Sequence, residues 1–331
     1  MNQLLTSISR NRAVVPFAFL LAFGLTFIPT LFSVPFLPSV QPDNEIWELF
    51  GQFNLSFPKL SAWINFAVVS ICGWGVFKLN EYFSMGRFRS NFPLIFLLLF
   101  YIGNPSLHFL SEGTFAMLFA LISIFILFAS YQQSKVSEYG FMVGITLGTL
   151  GLIWTKGLLY TPVFLIGFWM MRSFTARSVI ALFLGIASIF WLQFAVNYYQ
   201  GETDRFIAQF KDIFTFTVPD FRELPIILQI NILITFLTGL VSGSKLLISN
   251  LQEKVRTQVC YNFVILLSMA ATVLTFFDSL HMAAHLTLMY LTIALLAANI
   301  FSMYATKGTA FLFVLLMALY GASFAMIVWK I

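Results

Sequence analysis

The chain is predicted to be an all-α, polytopic bundle of about eleven transmembrane helices, and three observations predict it. Of its 331 residues, 60% are hydrophobic and 9% charged, with a mean hydropathy of +0.90. A soluble domain carries about 25% charged residues. Apolar runs of roughly 17–22 residues recur along the chain, and at about 1.5 Å per residue each is long enough to cross a hydrocarbon core of about 30 Å. Lysine and arginine, finally, gather in alternate connections, as the positive-inside rule requires of a multi-pass protein.

The run 139–171 sets the register. It is almost wholly apolar and is interrupted by Thr155-Lys156-Gly157. One helix of that length would overshoot a bilayer, so the run divides into two spans that meet at Lys156. A lysine costs roughly 2.5–3.5 kcal/mol at the bilayer centre and little at its surface, which places Lys156 at a membrane face, in a tight helical hairpin. Working outward from that corner gives spans near 13–33, 61–79, 92–109, 114–131, 140–154, 157–171, 178–198, 224–246, 258–277, 283–303 and 308–328. The first follows Arg10 and Arg12 and has no small-residue cleavage site after it, so an uncleaved span is expected rather than a secretory leader. The third is the one whose removal would leave ten spans, because the apolar part of 91–103 is short and Asn104-Pro105 ends or kinks it.

With a cytoplasmic N-terminus, the inner segments carry nine more positive than negative charges and the outer segments four more negative than positive, together the net +5. That asymmetry supports an odd number of spans and an external, periplasmic C-terminus. It also accounts for the basic balance without nucleic acid, since the lysines and arginines form no patch with interleaved aromatics. No composition shift, repeat or linker divides the chain, so 1–331 reads as one integral membrane domain.

Two outer loops are long enough to hold structure. In 34–60, Asp43 and Asn44 can cap a short helix bearing Ile46, Trp47, Leu49, Phe50 and Phe53. In 199–223, Thr203 or Asp204 can cap a helix with Phe206, Ile207, Phe210, Ile213 and Phe214 on one stripe, closed by Pro219. Gly144-x-x-x-Gly148 and Gly239-x-x-x-Gly243 mark close helix packing. Cys72 and Cys260 read as buried small apolar residues, and Gln193, Asn197, Asn231 and Asn299 as interhelical hydrogen-bonding groups.

Charged side chains are scarce at bilayer depth, which argues against an ion-coupled transporter. The titratable groups gather at the outer face, where each alone reads as a solvated loop charge. Three combinations stand above that reading. Asp43-Asn44-Glu45 brings together two carboxylates suited to a divalent cation or to activating a hydroxyl. Lys156 and the Arg205/Lys211 pair suit a lipid phosphate. His281 and His285 stand one helical turn apart, a zinc-compatible spacing without a third ligand, and no metal site is assigned to them.

The acidic motif after the first span, Asn104-Pro105 with Glu112 opening the fourth, and Gly148-x-x-Gly151-x-x-x-Thr155-Lys156 leading to Pro162 resemble the GT-C superfamily of polytopic glycosyltransferases. The resemblance covers roughly 10–220, with additional transmembrane helices over 224–328. It implies a bacterial inner-membrane enzyme that uses a polyprenyl-phosphate-linked sugar at the periplasmic face, with Asp43 or Glu45 as the catalytic carboxylate and a divalent cation as a candidate cofactor. Glu112, Lys156, Arg205, Lys211 and His281 are then the substrate-binding candidates. The phenylalanine-rich layout is also similar to uncharacterised inner-membrane proteins of Bacteroidota, a likeness that implies no activity. The alternatives are a noncatalytic subunit that scaffolds an envelope complex with other membrane proteins, and a lipid or glycan flippase.

Overall fold

A computed structural model describes residues 5, 7–9, 11–31, 45–85, 90–133, 135–218, 224–249, 254–304 and 306–329. Among these the regular structure is entirely helical: α1 Val14–Leu31, α2 Glu45–Ser56, α3 Pro58–Tyr82, α4 Phe92–Ile102, α5 Glu112–Ala129, α6 Val136–Ile153, α7 Thr161–Met170, α8 Ala176–Gln200, α9 Thr203–Lys211, α10 Ile226–Ser249, α11 Val255–Phe277, α12 Met282–Met303 and α13 Lys307–Trp329. Short 3₁₀ turns occupy Pro105–Leu107, Thr155–Tyr160 and Asp212–Phe214.

Local chemistry sets the boundaries. Proline lies in the first turn of α3, α4 and α7, where its missing N–H costs nothing. Thr175 caps α8 by accepting the Ser178 amide, while Ser111 and Thr114 form a capping box at α5. Gly201, at φ 76°, ends α8 in the left-handed conformation that glycine adopts without strain.

A helix stands at every expected span, and eight are long and apolar enough to cross a membrane unaided: α3, α5, α6, α8, α10, α11, α12 and α13. The short α4 is instructive. Its 11 residues rise only about 16 Å, yet every one of them is buried. Protein surrounds α4, so it does not have to match the hydrocarbon thickness by itself. With α12, which is buried along most of its length, it forms the centre of the bundle, where Phe96 meets Phe301 at 4.9 Å and Phe100 meets Tyr290 at 5.6 Å. The Gly144 motif packs as expected, since a Cβ on Gly144, as on Gly140 or Gly185, would overlap facing backbone across the α6–α8 contact. The Gly239 motif does so only in part, for a Cβ on Gly239 would meet the Ile293 side chain at 2.7 Å but one on Gly243 would meet only Ile265, at 4.0 Å.

Hydrogen bonds sort the connections into two ends. At one, Asn54 Nδ2 donates to Leu110 O at 2.8 Å and Ser279 N donates to Thr217 O at 2.7 Å. At the other, Asn91 Nδ2 donates to Ile8 O at 3.0 Å, and Ser173 Oγ donates to Ser130 O.

Both loop helices form, although α9 differs from the expectation. It stops at Lys211 and passes into a 3₁₀ turn, while Pro219, like Asp43 and Asn44, lies outside the described residues. Its stripe divides as well. Phe206 and Phe210 pack on Phe194 and Phe190 of α8, at 5.4 and 5.1 Å, whereas Ile207 and Phe214 remain exposed. A reciprocal Gln193–Gln209 amide pair at 2.9 and 3.1 Å fixes α9 to α8.

Candidate functional site

At the end of the bundle where α5 and α12 begin and α6 and α11 finish, Glu112, Lys156, Tyr160, Asp278, His281 and His285 lie inside the protein. The expectation that outer-face charges are solvated fails here. Glu112, Lys156, Asp278, His281 and His285 expose at most 3% of their surface, because each was brought against a partner when the short connections folded onto one another.

Lys156 stands in the 3₁₀ turn between α6 and α7. Its Nζ donates to Asp278 Oδ1 and Oδ2, both at 2.9 Å, and to Thr215 O at 2.8 Å, which occupies every ammonium proton. The Phe216 ring lies 5.7 Å away. Asp278 follows the last turn of α11. Burial by itself would raise its pKa, but hydrogen bonds from His285 and Lys156 and the proximity of His281 hold the carboxyl below its ordinary value.

His285 continues the chain of contacts. Its Nε2 lies 3.4 Å from Asp278 Oδ2, and its Nδ1 lies 2.8 Å from Tyr160 Oη. A carboxylate only accepts, so Nε2 carries the proton and Nδ1 accepts from the tyrosine. The direction of both bonds is thereby assigned: Tyr160 to His285 to Asp278.

The second pair is Glu112 with His281, whose Nδ1 lies 3.2 Å from both carboxylate oxygens. Glu112 occupies the first turn of α5, where the exposed amides favour a negative charge. Gly113 permits the approach: a Cβ there would meet Thr287 Oγ1 at 2.8 Å and Ala283 O at 3.0 Å. Thr287 Oγ1 also donates to Gly113 O at 2.9 Å, pinning α5 to α12. Trp154 joins the two halves, with its ring 4.9 Å from His285, 6.1 Å from His281 and 6.2 Å from Tyr160. Its buried Nε1 has no hydrogen-bond partner among the described residues.

Neighbouring amides hold the frame. Asn65 Nδ2 donates to Tyr101 Oη at 2.9 Å and Leu107 O at 2.8 Å, and Thr114 Oγ1 donates to Asn65 Oδ1. His108 donates from Nε2 to Tyr101 O at 3.2 Å, and its burial pushes the imidazole pKa down to about 4, so the ring is neutral near pH 7.

Of the residues proposed from sequence, Glu112, Lys156 and His281 converge. Lys211 lies exposed at the end of α9. Asp43 is outside the described residues, and for Glu45 and Arg205 the structure describes the backbone alone. His281 and His285 do not share a ligand position. They turn to different carboxylates, and the described residues contain no group of three ligands placed to hold a metal.

Asp278, His285, Tyr160 and Trp154 were not among the proposed site residues. Asp278 had a legible signal, since a lysine inside an apolar turn demands a carboxylate and Phe276-Phe277-Asp278 is an acid at the edge of an apolar run. Tyr160 and Trp154 had none among 18% aromatic residues. Chemically, the cluster is a pair of histidine–carboxylate units in a dry setting, able to hold or pass a proton, with a lysine balancing the deeper carboxylate. Comparison with protein-family models, curated proteins and solved structures finds no match.

Proposed function

We propose that the chain is an inner-membrane protein of about eleven spans, its buried polar cluster at the periplasmic end, that binds a polyprenyl-phosphate-linked glycolipid there and transfers the sugar in the manner of a GT-C enzyme. One observation carries the reading: Glu112 and His281 meet at the same end of the bundle as Tyr160, His285 and Asp278, so proton-handling groups are concentrated there. Asp43 or Glu45 supplies the catalytic carboxylate, with a divalent cation as its candidate partner. Because the Lys156 ammonium is committed to Asp278, the phosphate contact falls chiefly to Arg205 and Lys211 on α9.

The rival reading, a noncatalytic subunit of an envelope complex, is favoured by the same saturation of Lys156, for a charge spent inside the fold is a structural tie. Native mass spectrometry of protein extracted in mild detergent separates the two. A co-extracted polyprenyl-phosphate species that disappears on Arg205→Ser/Lys211→Ser supports the glycolipid reading. A stoichiometric protein partner without that lipid supports the subunit.

A further inference from the structure

A second feature lies on the flank of the bundle, away from the polar cluster. α1 and the middle of α13 stand on either side of α4, and between them runs a groove of about 370 Å³. Its floor on α4 adds Leu98 to a stripe of Ile95, Leu99 and Ile102, whose spacings of four and three residues place them on one helix face. The stripe residues retain 9, 7 and 7% of their surface, whereas Phe96 and Phe100 on the opposite face retain none. The central helix is therefore sealed everywhere except along this stripe.

The walls are apolar too. Tyr320 is the polar residue among those lining the groove, and its hydroxyl is bonded to Thr235. Water entering such a groove would find none of the two to four polar partners it needs. Gly321 keeps one wall recessed, since no atom lies within 4 Å of where its Cβ would stand, and among the described residues no side chain fills the space. The outer rim is formed by Leu21 and its neighbour Phe17, which are 42 and 65% exposed on the face of a helix as apolar as its membrane-crossing companions. From Val14 to Leu25 the α1 wall is about 16 Å long.

We propose that this groove is a binding site for one extended hydrocarbon chain of a membrane lipid, lying along α4 between α1 and α13. The occupant follows from the surroundings: the exposed rim residues Phe17, Leu21 and Met317 belong to apolar helices whose solvent in a bilayer is hydrocarbon, and a dry apolar groove about 16 Å long accommodates an extended chain. The chain gains dispersion contacts along three helices where a lipid at the open surface contacts one or two. Its upper end lies at Ile102, one residue before the Gly103–Ser111 connection that leads into Glu112, so a lipid anchored here places its headgroup at the end of the bundle that holds the cluster. The site does not depend on the glycolipid reading.

The test uses the full chain in vesicles of phosphatidylethanolamine and phosphatidylglycerol, with a diazirine on an acyl chain of the phosphatidylglycerol. After irradiation, labelled peptides are mapped by mass spectrometry. The expected result is labelling of Leu99 and Met317 several-fold above that of Leu312 and Leu315, exposed positions on the same α13, and its loss in Gly321→Phe while the label at Leu312 persists. Met317→Trp fills the groove from a second position, so a Gly321 variant that fails to fold does not end the test. Groove labelling no greater than at Leu312, or unchanged in folded filled variants, overturns the proposal. So does a disulfide between two copies carrying Met317→Cys with the groove left unlabelled, which would make a second copy the occupant.

Discussion

An ammonium and a carboxylate in a dry interior are tolerable together and costly apart. Lys156 and Asp278 are 1 and 0% exposed and meet at 2.9 Å. Removing one partner of a buried pair costs about 3–5 kcal/mol, because the other is left charged without compensation, whereas replacing both is often nearly neutral. Lys156→Met and Asp278→Asn are each expected to destabilise on that scale, and the double variant to recover most of the loss, as read from thermal unfolding in detergent. Acid should act through the same carboxylate. An unfolded aspartate titrates near 3.9, and Asp278 is held lower, so its contribution is complete above about pH 4 and is lost as pH falls through the lower folded value. Strictly additive effects in the double variant would show that the pair is not coupled.

Between α6 and α8, stability depends on the absence of side chains. A Cβ on Gly144 would overlap the carbonyl of Leu182, so Gly144→Ala forces two long helices apart. Overpacking of this kind costs about 1–3 kcal/mol. At Gly24 in α1 nothing lies within 4 Å of the same atom, and Gly24→Ala should stay within about 1 kcal/mol of the wild type. The contrast, measured as midpoint shifts of the two variants, distinguishes close packing from a general intolerance of substitution in membrane helices; equal shifts would remove the packing explanation. The pattern Gly-x-x-x-Gly announced this contact in the sequence, but the partner helix and the matching role of Gly185 came only from the folded arrangement.

For the molecule as a whole, the bonds at the two ends of the bundle make topology testable. Tyr199 near the end of α8 is 93% exposed, and Lys135 just before α6 has 75% of its side chain exposed. Cys72 and Cys260 are buried, so a cysteine introduced at either position reports without competition. With the polar cluster outside, Tyr199→Cys reacts with an impermeant maleimide on intact cells, and Lys135→Cys reacts after permeabilisation. The opposite result would invert the chain and place the cluster in the cytoplasm, removing the basis for periplasmic chemistry.

What the sequence determined by itself is the membrane solution: apolar runs of fixed minimum length, the connections between them, and the two loop helices. These follow from local chemistry, since a backbone in hydrocarbon must satisfy its own hydrogen bonds and a helix does so within one segment. Composition and periodicity report that need directly. Tertiary structure alone decided which helices are enclosed by others and which lie on the outside of the bundle, and so revealed a central α4 too short to span unaided. It also decided the site. Lys156 and Asp278 are separated by 122 residues, and Glu112 and His281 by 169. Pairing over such distances depends on how the whole bundle closes, and no local pattern encodes it. A lone lysine shows in sequence that a partner is needed; only the packed fold shows that Asp278 is that partner.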